Sequence, residues 1–182
     1  PAQPAQCLAM LTWTLDHLDE LGGAADRVAI GGASSGGNLA AITTILHRDR
    51  CRATGEHRPL RLQLLENPAT ALTPAYLDRI GVPAWLPRPV LGLGLAPLIR
   101  NYLGAHLRRL GEPLVSPLLA DDLADLPPAV IWTGEMDALR TNGEAYARAL
   151  AAAGVPTTAI RYIGATHTSG GLTGLVPAAD HL

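Results

Sequence analysis

The run Gly32-Ala33-Ser34-Ser35-Gly36-Gly37 sets a serine among residues with little or no side chain, in a G-x-S-x-G pattern. It follows a short apolar stretch, residues 27–32, and opens residues 35–50, which have helical character and no proline. A chain that reverses from strand to helix so abruptly lifts a hydroxyl above the sheet, at the positive end of the helix. Small neighbours at Gly32 and Gly36 are expected to avoid collision with it. In that setting Ser34 is a candidate nucleophile, and the Ser35 backbone N–H a candidate donor to a developing oxyanion. The plainer alternative is a Gly-Ser loop that only caps a helix. A phosphate cradle is excluded, because a P-loop needs Lys before its Ser or Thr and the chain has no Lys. The glycines also miss the G-x-G-x-x-G spacing of a dinucleotide turn.

A serine nucleophile needs a base, and the base needs an orienting acid. In a strand-turn-helix setting of this kind the chain order is Ser, then Asp or Glu, then His. Asp137 follows an apolar run, residues 129–133 (AVIWT), and His167 follows another, residues 157–163. Taken singly, Asp137 reads as a helix N-cap, and His167 fits a structural or surface histidine as well as a catalytic one. Together with Ser34 they stand in the required order, each just past its own strand, which makes Ser34, Asp137 and His167 the expected catalytic set. Glu135 is the alternative acid, closer to the strand body. His17, His47, His57, His106 and His181 lie on helices, in an irregular segment or in the tail. They are expected to be solvated, and no pair has zinc-ligand spacing.

The elements that must carry these residues alternate. Residues 8–21 place Leu8, Leu11, Leu15 and Leu18 at helical spacing, with Gly22-Gly23 as a stop. Residues 27–32 read as a buried strand, 35–50 as a helix, and 60–66 as a second strand closed by Pro68. Residues 71–113 are irregular and proline-rich, with helical scraps around Tyr76 and over 96–107. Their Leu, Trp and Tyr content fits a cap-like insert packed on the domain. Residues 129–133 and 157–163 are strands flanking a helix over 142–153 that stops at Gly154, and a weak helix follows Gly171. The order α-β-α-β-insert-β-α-β predicts a single α/β domain with a mostly parallel sheet and helices on its faces. The candidate residues then share the C-terminal edge of the sheet, where open α/β sheets place their sites.

Composition fits one packed domain. The chain has 182 residues, 48% of them apolar and 16% charged, with a net charge of −2. That balance gives no electrostatic support to a nucleic-acid or anionic-membrane partner. The least charged stretch, residues 28–47, carries glycines, serines and an asparagine, so it is a poor membrane span. Cys7 and Cys51 are too few for a disulfide framework or a structural zinc site and fit a cytoplasmic redox setting. No signal peptide is visible, and the chain opens on Pro1 rather than Met, so a processed or partial chain is expected.

Taken as a set, several stretches resemble the hormone-sensitive-lipase-like esterases of the α/β-hydrolase fold. They are Asp26-Arg27 before the first strand, then Gly32-Ala33-Ser34-Ser35-Gly36-Gly37-Asn38-Leu39-Ala40, close to that family's G-D-S-A-G-G-N-L-A. Further on stand Ser116-Pro117-Leu118, Leu126-Pro127-Pro128-Ala129, Asp137-Ala138-Leu139-Arg140 with Gly143-Glu144-Ala145-Tyr146, and His167 after Arg161-Tyr162. The resemblance covers nearly the whole chain. It implies Ser34 as nucleophile, His167 as general base and then acid, and Asp137 as its orienter. The implied activity is hydrolysis of small to medium acyl esters through an acyl-enzyme, with no metal or organic cofactor. An amidase, lactonase or deacetylase with the same triad, or a non-catalytic binding module, are the alternatives.

Three departures stand out. Ala33 replaces the family's usual Asp, and Thr168-Ser169 stands where Gly-Phe commonly follows the histidine. The family's H-G-G-G loop, which supplies further oxyanion donors, has no counterpart among residues 1–33. A preceding segment, or failing that an oligomer partner, is therefore expected to complete sheet, oxyanion hole and pocket.

Overall fold

The computed structural model describes residues 2–73, 76, 97 and 100–171. Among them, four strands form one parallel sheet in the order β1-β2-β3-β4: β1 (Ala29–Ala33), β2 (Leu62–Glu66), β3 (Ala129–Gly134) and β4 (Thr157–Tyr162). The α-helices that accompany it, among the described residues, include α1 (Ala2–Asp16), α2 (Ser35–Thr54) and α3 (Arg140–Ala152). Each strand lies beside the next one in sequence, so every crossover steps the same way, and right-handed crossovers then put α2 and α3 on one face. The main core bears this out. Ala41 and Ile45 of α2, Leu65 of β2, Ile131 of β3, and Tyr146 and Leu150 of α3 form one buried cluster.

α1 packs against α2, and its Leu11 and Leu15 join Leu60 in a second cluster. It begins at Ala2 rather than Leu8, because Pro4 falls in the first turn, where a missing N–H costs nothing. Its last turns loosen after Asp16 into a bend and turns that close where the Gly23 N–H donates to Leu18 O (2.8 Å). β1 starts two residues later than expected, because Ala25–Arg27 form a 3-10 turn. α2 runs on to Thr54 and stops at Gly55, whose φ of 73° lies in the left-handed region.

Two expectations are corrected. Residues 27–32 read as a buried strand, yet Ala29, Gly31 and Ala33 are exposed. The reason is position: among the described residues no strand pairs with the outer edge of β1. His47 is buried rather than solvated, and its Nε2–H donates to Arg58 O at 2.7 Å.

The basic end of α2 is spent on internal contacts. Arg48 donates to the carbonyls of Asp122 and Ala124 (3.0 and 2.7 Å), and Arg52 pairs with Asp122 and Asp125. Of residues 71–113, those described pack on the domain: Leu72 and Leu103 cluster with Ala69, Val115 and Leu139, flanked by Tyr102 and Leu110. Tyr76 and residues 100–103 are helical, and Gly104–Arg109 continue as a 3-10 turn. The rest of the expected insert, and the expected helix after Gly171, lie outside the described residues. Among the described residues, no helix is long and apolar enough to cross a membrane.

Candidate active site

Ser34 stands one residue past β1 and caps α2, with φ 56° and ψ −115°. Such a backbone is rare for a residue with a side chain and stores strain of about 1–3 kcal/mol. Three main-chain bonds hold it. The Ser34 N–H donates to Glu66 O (2.9 Å), while Ser34 O accepts from the N–H groups of Asn38 (3.1 Å) and Ala69 (3.2 Å).

The tight turn makes specific demands on its glycines. A Cβ on Gly32 would lie 2.5 Å from the Gly36 carbonyl, and one on Gly37 would lie 2.9 Å from Pro68 Cβ. A Cβ on Gly36 would meet nothing within 4 Å. The close approaches therefore fall on Gly32 and Gly37, and the expectation that Gly36 avoids a collision is corrected. Ser35 opens α2, so its N–H is among the first-turn donors that have no acceptor within the helix.

Asp137 lies three residues past β3, and His167 five past β4. The structure brings both to Ser34. His167 Nε2 is 2.9 Å from Ser34 Oγ, and His167 Nδ1 is 2.9 Å from Asp137 Oδ2. The Asp137 side chain is fully buried, and its Oδ1 accepts the N–H of Leu139 (2.8 Å). The His167 side chain keeps 36% of its surface exposed, enough to meet an incoming molecule. The hydrogen bond that His167 Nδ1–H donates to Asp137 holds the His167 pKa above the ordinary 6.5, against partial desolvation and with further help from the charges of Asp137 and Glu66. Glu135 lies elsewhere: its Oε2 accepts the Gly164 N–H at 2.9 Å.

The residues that hold these loops have no role that the sequence pattern assigns. Ser169, fully buried, accepts the Thr166 N–H on its Oγ (2.8 Å) and closes a turn around His167. Asn67 bonds both the end of β3 and the His167 carbonyl. The signal available was position: Asn67 directly follows a strand and precedes a proline. Asn38 is buried at the start of α2 and donates to Ala69 O (2.7 Å) and Val115 O (2.9 Å), tying the turn to the segment beyond the insert. Among the described residues, no cluster of three His, Cys, Asp or Glu side chains has the geometry to hold a metal ion.

A strand-turn-helix serine at the C-terminal edge of a parallel sheet, with histidine and aspartate on later strand ends, defines a class. The chain belongs to the α/β-hydrolase family: a family model described as the alpha/beta hydrolase fold matches residues 1–169. Its relatives put it in the hormone-sensitive-lipase-like esterase branch. It is 34% identical over 171 residues to an arylesterase of Saccharolobus solfataricus, a match covering 92% of this chain and 52% of that one. The carboxylic ester hydrolase LipN of Mycobacterium tuberculosis is 38% identical over 176 residues, covering 92% of this chain and 44% of its own. Among solved structures, a hyperthermophilic esterase from Pyrobaculum calidifontis superposes with a TM-score of 0.82 at 33% identity, covering 100% of this chain and 57% of the other. The chain spans about half the length of the relatives it matches.

Proposed function

We propose that this chain carries the nucleophile, base and acid of a serine carboxylester hydrolase acting on small to medium acyl esters. The observation that carries the reading is the pair of 2.9 Å contacts that joins Ser34 Oγ to His167 Nε2 and His167 Nδ1 to Asp137 Oδ2. The names of the relatives, an arylesterase and carboxylic ester hydrolases, support the ester as substrate.

With its Nδ1–H donated to Asp137, His167 presents an unprotonated Nε2 to the Ser34 hydroxyl. Ser34 Oγ attacks the acyl carbon as its proton passes to Nε2. The Ser35 N–H stabilises the oxyanion. The C–O bond to the alcohol then breaks, and Nε2–H gives the leaving oxygen its proton. Water repeats the cycle on the acyl-enzyme, releasing the acid and restoring Ser34. The mechanism draws on no metal or organic cofactor. Further oxyanion donors and the outer wall of the pocket come, in this reading, from a segment that precedes β1.

A fluorophosphonate probe tests the nucleophile. One serine is expected to be labelled, peptide mapping should find it at Ser34, and Ser34→Ala should abolish the adduct. Removing one member of such a triad lowers ester turnover roughly 10⁴- to 10⁶-fold in other serine hydrolases. A label on Ser35 or Ser116 in the unsubstituted protein would overturn the assignment.

A further inference from the structure

We propose that Asn67 is a positioning residue for His167, its side-chain amide fixing the histidine loop against the end of β3 from which the Asp137 loop departs. The proposal deepens the serine-hydrolase reading and rests on it.

Asn67 directly follows β2, is buried, and has a φ of 42°. Its own N–H donates to Trp132 O (2.9 Å), prolonging the β2–β3 ladder by one bond. There the chain turns left-handed, a conformation that asparagine tolerates better than most residues. The side chain then makes two bonds beyond the strand. Oδ1 accepts the Gly134 N–H at 2.8 Å, and Nδ2 donates to His167 O at 3.2 Å. The Gly134 N–H can only donate and the His167 carbonyl can only accept, so the two partners fix which way the amide points. Aspartate has no donor for the second arm, and a hydrophobic residue has neither arm. One amide thus joins the strand end that leads to Asp137 to the backbone of the residue Asp137 must orient.

The imidazole of His167 has to meet Ser34 on one nitrogen and Asp137 on the other, both at 2.9 Å. Displacing a reacting group by about 1 Å costs roughly 10²-fold in rate. The ionisable groups that act on His167 are Asp137 and Glu66, and Glu66 also supplies the carbonyl that receives the Ser34 N–H. The Ser34 and His167 backbones, and the strand end that leads to Asp137, are therefore all tied to Glu66 and Asn67.

The test uses Asn67→Gly and Asn67→Asp in the intact protein, with three readouts: the fluorophosphonate labelling rate, the His167 titration followed by NMR, and the low-field Nδ1–H resonance. Asn67→Gly keeps the left-handed backbone and removes both arms. It should lower the labelling rate by about 10- to 100-fold, weaken the Nδ1–H signal and move the His167 titration to lower pH. Asn67→Asp keeps the acceptor for Gly134 and sets a carboxylate oxygen against the His167 carbonyl. It should melt cooperatively yet label slowly with a weakened Nδ1–H signal, and it decides the matter if the glycine variant does not fold. A residue that serves stability alone would shift melting and leave the titration and the Nδ1–H signal where they are. A folded Asn67→Asp protein with parental labelling rate and parental Nδ1–H signal overturns the proposal. A parent protein that takes no label at Ser34 overturns the hydrolase reading instead, and the two NMR readouts then still decide the role of Asn67.

Discussion

At Ser34 the strained backbone, the serine Oγ and the first turn of α2 coincide, and the imidazole of His167 links that point to a fully buried carboxylate. The hydrogen bond donated to Asp137 raises the His167 pKa above 6.5, and two pH effects follow. A general base must be neutral, so the acid limb of the labelling rate should have its midpoint above pH 6.5. The sign for stability is the opposite: a raised pKa contributes stability that is full below the unfolded value and fades as pH rises through the folded one. Asp137→Asn should keep the fold, lose most turnover by leaving His167 in the wrong tautomer, and move the acid limb down. Glu135→Gln retains an oxygen that can accept the Gly164 N–H, so it should cost much less. Rate profiles of the two variants check the assignment, and the reverse ranking would exchange their roles.

At the scale of the element, the strand-to-helix turn depends on two glycines whose missing Cβ atoms make room for backbone or proline. Gly32→Ala sets a methyl 2.5 Å from the Gly36 carbonyl, where no side chain can swing aside. Overpacking of this kind costs about 1–3 kcal/mol, or roughly 2–12 °C of melting temperature in a domain of this size. Gly36→Ala meets open space at a helical position, and alanine is the better helix former. It should melt at or slightly above the parent temperature, and calorimetry on the pair tests both statements. The G-x-S-x-G spacing was legible in the sequence; which of its glycines are sterically required was not, because the Gly32–Gly36 and Gly37–Pro68 approaches exist only once the turn has closed. The four strands were legible as apolar runs bounded by Gly and Pro, and their helices by periodicity. Ends slipped wherever a 3-10 turn took over, as at Ala25–Arg27, or where a helix began on a proline the apolar pattern does not register. Ser34, Asp137 and His167 could be singled out as a candidate set because each follows a strand end. Asn67 follows a strand end too, but its role could not be read from that place, since it comes from bonds to Gly134 and His167, one of them a hundred residues away in sequence.

Among the described residues β1 is an open edge strand. Its outer N–H and C=O groups have no strand partner among the described residues, and Ala29, Gly31 and Ala33 are exposed on it. Met10, Trp13 and Leu21, on and just after α1, are exposed as well. An unpaired strand edge such as that of β1 is a template for pairing with another chain. In the proposed whole enzyme an earlier strand occupies that edge, and the loop that follows it adds oxyanion donors, each worth about 2.7–4 kcal/mol in the transition state of a serine hydrolase. Residues 1–182 expressed alone should therefore self-associate through β1, melt broadly and hydrolyse short acyl esters poorly, even with Ser34, His167 and Asp137 in register. The same residues extended at the N-terminus to the length of the relatives should be monodisperse at that edge, melt sharply and turn over esters at least a hundredfold faster, since one donor alone accounts for about 10²–10³. Sedimentation, calorimetry and ester kinetics on the two proteins make the comparison. A short chain that is monomeric, melts sharply and matches the longer one in turnover would mean that β1 needs no neighbour and that Ser35 suffices as donor.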